Sequence, residues 1–124
     1  MKRPFASRNL GQALVEFAIV LPLFLLLVVL IFDLGRAIYF YSAIHNAVRE
    51  GARYGIVDQN VSRIAAVTRE KAVGLEIDPV VNITSDTVVV TVDYHYSPIT
   101  PLLDRVIGSG GLTLHSQATM YYEP

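Results

Sequence analysis

The sequence predicts an α+β protein: a long N-terminal helix, membrane-spanning in its first half and amphipathic in its second, packed on a small antiparallel β-sheet head with one or two short helices. Three observations lead there. A block without any charge runs from Phe17 to Phe32, a stripe of helical period follows it without a breaker, and two later segments alternate at period two. A chain of 124 residues has room for one small domain and an anchor.

Counting back to Gln12 lengthens the apolar block to about 21 residues, or about 30 Å at helical rise, the hydrocarbon thickness of a bilayer. Its only ionised group is Glu16. An internal helix of a soluble domain would show a polar face, and the remaining chain is too short to surround a helix that has none. Lys2, Arg3 and Arg8 precede the block with no acid among them, while Asp33 and Arg36 follow it. The positive-inside bias therefore expects a cytoplasmic N-terminus and sends everything after Asp33 across the membrane. No small-x-small site of an ordinary secretory signal follows the block. Tyr39 and Tyr41 come at a depth suited to anchors at the outer interface, or equally to ordinary helix packing.

Past the block, Leu34, Ile38, Tyr41, Ile44 or His45, Val48 and Ala52 recur at three- and four-residue steps, and this stripe is expected to face the head. Asp33, Arg36, Arg49, Glu50 and Arg53 fall mostly away from it. A second row, Ala43, Ala47, Gly51 and Gly55, places a small residue at every fourth position and would let another element approach the backbone closely. The helix is expected to stop near Gly55. From Gln12 it would then span about 65 Å.

In the head, Asp58 or Asn60 can cap a short helix running to about Val73, with Gly74 as its stop. "VVNIT" and "TVVVTVDYHY" change to period two, with Ser85-Asp86 suited to a turn between them. Val88, Val90, Val92, Tyr94 and Tyr96 share one face, opposite Thr91, Asp93 and His95. "SPITPLLDRVIGSGG" reads as a loop with a short helix, and "LTLHSQATMYYE" as a last strand with Leu112, Leu114, Ala118 and Met120 on one face. One face of such a sheet laid on the long helix satisfies all these patterns.

Composition excludes several chemistries. The chain has no Cys, hence no disulfide, thiolate nucleophile or Cys-based metal site. A net charge of −1 gives no reason to expect a nucleic-acid partner. His45, His95 and His115 form no compact ligand spacing; His95 and His115 with Asp93 or Asp104 could meet a metal at the surface, but exposed strand histidines are the plainer reading. Arg49, Arg53, Arg63, Arg69 and Lys71 could gather on one side, although intervening acids favour a solvated face. No set of acid, base and nucleophile converges, so neither an enzyme nor a cofactor is expected.

"GQALVEF", the run containing Pro22, and "FDLGRAIYFYSAIHNAVREGARYG" resemble the TadE-like family, minor pilin-like proteins of the tight-adherence (Tad) pilus, a branch of the type IV pili. The resemblance is strong from about Arg8 to Gly55 and weaker beyond, although "SPITPLLDRVIGSGGLTLHSQATM" is also similar to the family's C-terminal part. It implies that a membrane prepilin peptidase cuts a short leader between Gly11 and Gln12. Glu16 would then be the fifth mature residue, with Phe17 beside it. It also implies partners: the membrane, that peptidase, other Tad pilins or pseudopilins and the assembly machinery. The organisation that follows is a basic leader over 1–11, an apolar helix over 12–32, and an extracytoplasmic head over 33–124 that includes the helix continuation to about 55.

A carboxylate inside an apolar run needs a partner or an escape to the surface. Cleavage would create an ammonium at Gln12, one helical turn from Glu16, and opposite charges in apolar surroundings must pair to be tolerated. The pairing could be within one subunit or with a neighbour; alternatively Glu16 snorkels at the cytoplasmic interface. Pro22 leaves the carbonyl of Ala18 without its helical partner; it either kinks the helix or is tolerated there, as Pro commonly is in membrane helices, and the sequence does not separate the two. Two functions remain in contention. One is a structural minor pilin or pseudopilin in a bacterial inner membrane. The other is an unprocessed single-pass protein with an external binding domain.

Overall fold

The computed structural model describes residues 7–108 and 110–122. Its elements are α1 (Ser7–Val57), α2 (Val61–Lys71), β1 (Val80–Ile83), β2 (Thr87–Tyr96), α3 (Pro101–Ile107) and β3 (Leu112–Tyr121). The class is α+β. Lys2 and Arg3 of the expected leader lie outside the described residues.

Helix α1 runs 51 residues without a break, through Gly11, Gln12 and Pro22 alike. It is long and apolar enough to cross a membrane, and its most apolar window is buried by nothing in the fold. A helix bare on every side is stable where its surroundings are themselves apolar.

The other half of α1 is covered by the head. The strands form an antiparallel sheet in the order β1-β2-β3, with Val81 opposite Val90 and Val90 opposite Ala118. Val88, Val90 and Val92 of β2 and Leu114 and Ala118 of β3 point at Ile44, Ala47, Val48 and Ala52 of α1. Ile64 and Ala72 from the α2 segment, together with Ile77, close the core from the side. Period-two alternation thus lays one face of the sheet on the helix and leaves Asp93, His95, His115 and Gln117 in solvent.

Two expectations shift in detail, and the choice of cap between Asp58 and Asn60 is decided. Helix α1 ends at Val57, two residues beyond Gly55. Helix α2 ends at Lys71 rather than Val73, because Val73 and Gly74 both turn to positive φ, 52° and 80°. The Asn60 side chain caps α2 by accepting from the amides of Ser62 at 3.1 Å and Arg63 at 3.3 Å.

The larger correction concerns the stripe. Leu34, Ile38 and Tyr41 do not face the head: Leu34 is 62% exposed and Ile38 59%. The covered face instead carries Asp33, then Ala37 and Phe40, then the small residues from Ala43 onward. Both lines obey the helical period, so period could not choose between them. Contact distance chose. A Cβ on Gly51 would stand 2.0 Å from the hydroxyl of Thr68, and one on Gly55 would stand 2.6 Å from Val88. The head lies against the line of α1 whose side chains are short enough to admit it.

Gly51→Ala therefore should destabilise the head, although Ala favours a helix by up to about 1 kcal/mol over Gly. Thr68 would have to turn away and lose its 2.8 Å bond to the Ile64 carbonyl. A net loss of about 1–3 kcal/mol is expected from such overpacking, read as a lower denaturation midpoint of the full chain in detergent. Thr68→Ala in the same chain should recover part of it, since the two side chains compete for one space.

Candidate functional site

Two places on α1 carry polar groups where an apolar helix would exclude them. One is the N-terminal junction. Gly11 and Gln12 lie in the helix, and a Cβ at Gly11 would meet no atom within 4 Å. The Gln12 side-chain amide donates to Glu16 Oε1 at 3.2 Å, across one helical turn on an exposed face. Residue 12 and the Glu16 carboxylate are thus within direct reach of each other. Phe17 is exposed beside them, and Pro22 follows in unbroken helix.

The other place is Asp33, where the apolar run ends. It is only 2% exposed, yet it carries a carboxylate. The fold supplies donors to match. The Ile99 amide donates to Oδ1 at 3.1 Å, the Thr100 amide to Oδ2 at 2.7 Å, and the Thr100 hydroxyl also donates to Oδ2. The Tyr96 hydroxyl donates to the Asp33 backbone carbonyl at 2.9 Å. Arg36, one turn along, stands 4.0 Å from Oδ1 with its guanidinium over the rings of Phe40 (5.4 Å) and Tyr96 (5.6 Å). Phe40 meets Tyr94 and Tyr96 edge-on at 5.8 and 5.7 Å. Thr100 occupies the N-cap position of α3, but its hydroxyl is used by Asp33 instead of capping that helix.

Burial pushes the Asp33 carboxyl up. The Thr100 hydroxyl, the Ile99 and Thr100 amides and the Arg36 charge push it down further, and the balance lies below the ordinary carboxylate value. The Tyr96 hydroxyl is raised, first by burial and then by the Asp33 charge. A second carboxylate knits the α1–α2 turn: Asp58 accepts from Arg63 at 2.9 Å, from Tyr54 at 3.2 Å and from the Asn60 amide at 3.1 Å. Arg63 is the leading cause of its lowered value.

Sequence reasoning placed Asp33 away from the covered face, and the structure reverses that. Nothing in the spacing ties residue 33 to residue 100. The available hint was a lone acid at the end of an apolar run, with a Thr between two prolines far downstream. The row Ala43, Ala47, Gly51 and Gly55 is where α1 meets the head: Ala43, Ala47 and Gly51 are buried, and Gly55 abuts Val88 and Ile64. Three of the five basic residues are each taken by an acid. Arg53 pairs with Glu50 at 3.7 Å, Arg63 with Asp58 at 2.9 Å and Arg69 with Asp78 at 2.9 Å. His115 Nδ1 meets Asp93 Oδ1 at 2.6 Å in solvent, and no group of three metal-ligating side chains occurs among the described residues. Tyr39 and Tyr41 are both exposed.

Residues 11–53 match the model of a family described as TadE-like protein. The match begins at the junction and ends inside the covered half of α1, so it spans both places. No curated protein and no solved structure shows a significant match.

Asp33→Ala should cost about 2–4 kcal/mol of head stability, because it leaves buried donors without an acceptor. The Asp33 contribution is complete above the unfolded carboxylate value, about 3.9, and is lost as pH falls through the lower folded value. Acid titration of unfolding, wild type against Asp33→Asn, checks the sign: the wild-type advantage should shrink toward low pH and be flat near neutrality.

Proposed function

We propose that this chain is a structural, non-enzymatic pilin-like subunit, a minor pilin or pseudopilin that serves assembly of a Tad-type adhesion pilus. It would be made in a bacterial inner membrane with residues 1–11 in the cytoplasm, residues 12–32 across the bilayer and the head outside. A prepilin peptidase would cut between Gly11 and Gln12. The observation that carries the reading is the family match over residues 11–53, laid on a single helix that is bare and apolar in one half and clamped to a small head in the other.

Glu16 has a direct role in this reading. The Gln12 side chain already reaches it at 3.2 Å, and after cleavage the new ammonium at Gln12 would lie within the same turn. In apolar surroundings the carboxylate needs such a counter-charge, from its own subunit or from a neighbouring one. Asp33 has a separate role in this reading: it holds the head at a set height along α1. The partners that follow are the membrane, the peptidase, sibling Tad pilins or pseudopilins and the assembly machinery.

The test is the N-terminus and intact mass of membrane-extracted protein, made with and without the cognate prepilin peptidase. A chain starting at Gln12 only when the peptidase is present is expected. A chain that keeps Lys2 and Arg3 in both samples would overturn processing and leave an uncleaved single-pass protein with an external binding domain. Glu16→Ala should leave cleavage largely intact while lowering recovery of the protein with other pilus components, measured by copurification.

A further inference from the structure

The head does not stand clear of the place where α1 leaves its apolar stretch. Tyr96, the last residue of β2, bonds to Asp33, while Val88 near the start of β2 lies against Gly55. Strand β2 therefore runs back along α1 toward the apolar half, over about 27 Å of strand beside about 33 Å of helix. The connection from β2 to β3 emerges at that end of the sheet. Its backbone is tied there, because the Ile99 and Thr100 amides bond to the Asp33 carboxylate, one residue after Phe32 ends the apolar block.

Among the described side chains, this connection presents large apolar groups outward. Ile99 is 68% exposed and Val106 79%, with Leu112 also exposed at its far end. Phe32 and Leu34 on α1, either side of Asp33, are exposed as well. The Ile99 amide is bonded to Asp33, and Leu112 stands opposite Tyr96, whose hydroxyl bonds to the Asp33 carbonyl, so both lie at the level of Phe32 and Leu34; Val106 stands on α3 between them in the chain. Asp104 and Arg105 on α3 give the connection the mixed polarity of an interface, not of a segment that crosses.

We propose that the connection from β2 to β3, over residues 99–108 and 110–112, is a membrane foot. Ile99, Val106 and Leu112 enter the boundary between headgroups and acyl chains on the head side of the bilayer, seat the head there, and close the Asp33 carboxylate off from lipid. The proposal rests on the reading of α1 as membrane-spanning. Continuity with the apolar run is what selects lipid as the occupant: the connection is bonded to Asp33, the residue that directly follows that run. Lifting the subunit out of the membrane would then expose the foot together with the apolar half of α1.

The chain contains no Trp, so single-Trp variants report without background. Ile99→Trp and Val106→Trp would be compared with Val57→Trp, exposed at the far end of α1, and with Phe24→Trp in the apolar run. Each full chain is reconstituted into phosphatidylcholine–phosphatidylglycerol vesicles, with and without bromine on the acyl chains. The foot predicts blue-shifted emission at positions 99 and 106 and quenching several-fold stronger than at 57, with position 24 quenched most. Positions 99 and 106 behaving like 57 while 24 is quenched would overturn the foot and leave the span standing. Blue-shifted but unquenched emission at 99 and 106 would mean that protein covers them, which also overturns it. Absence of quenching at position 24 would overturn the span and the foot together.

Discussion

A buried carboxylate at the end of an apolar helix is the constraint around which the head is arranged. Removing Asp33 from water costs several kcal/mol unless charge-assisted hydrogen bonds replace its hydration. The donors available are the amides of Ile99 and Thr100 and the Thr100 hydroxyl, with Arg36 alongside. To deliver them, β2 has to run the length of the covered half of α1 and the chain has to bend at Ile99, after the strand ends. Once it does, Tyr96 reaches the Asp33 carbonyl and Phe40 fills the angle between Tyr94 and Tyr96. The polar contact sets the register of strand against helix; the aromatic stack and the valines of β2 supply the buried apolar area that stabilises it.

Helix and sheet depend on each other. A three-stranded sheet with one apolar face is marginal until that face is covered, and a helix in water draws most of its stability from packing rather than propensity. Here the cover is one line of α1 in which short side chains and two glycines bring the helix close, with Ile44 and Val48 filling the core beside them. The same helix then continues without interruption into its bare apolar half.

Much of the fold was legible because its causes are local. The apolar block, the alternation in β2 and β3, the turn at Ser85-Asp86 and the Asn60 cap each depend on residues a few positions apart, and each has a physical signature at that range. The face of α1 was half legible. Ile44, Val48 and Ala52 are covered as the stripe expects, but Leu34, Ile38 and Tyr41 are not. The stripe treated hydrophobicity as evidence of contact with the head, whereas Asp33, a charged residue, is buried beside the apolar block and the apolar residues next to it are bare.

Composition and periodicity act through neighbouring residues, and from them alone follow a helix apolar enough for a membrane, its continuation past the charge at Asp33, and the strands after it. Which line of the helix meets the sheet, and that Asp33 belongs to it, was settled by contacts in three dimensions. That choice turns on a Cβ's width at Gly51 and Gly55 and on hydrogen bonds between residues 66 and 67 positions apart, and no pattern within a single chain segment encodes a contact of that range.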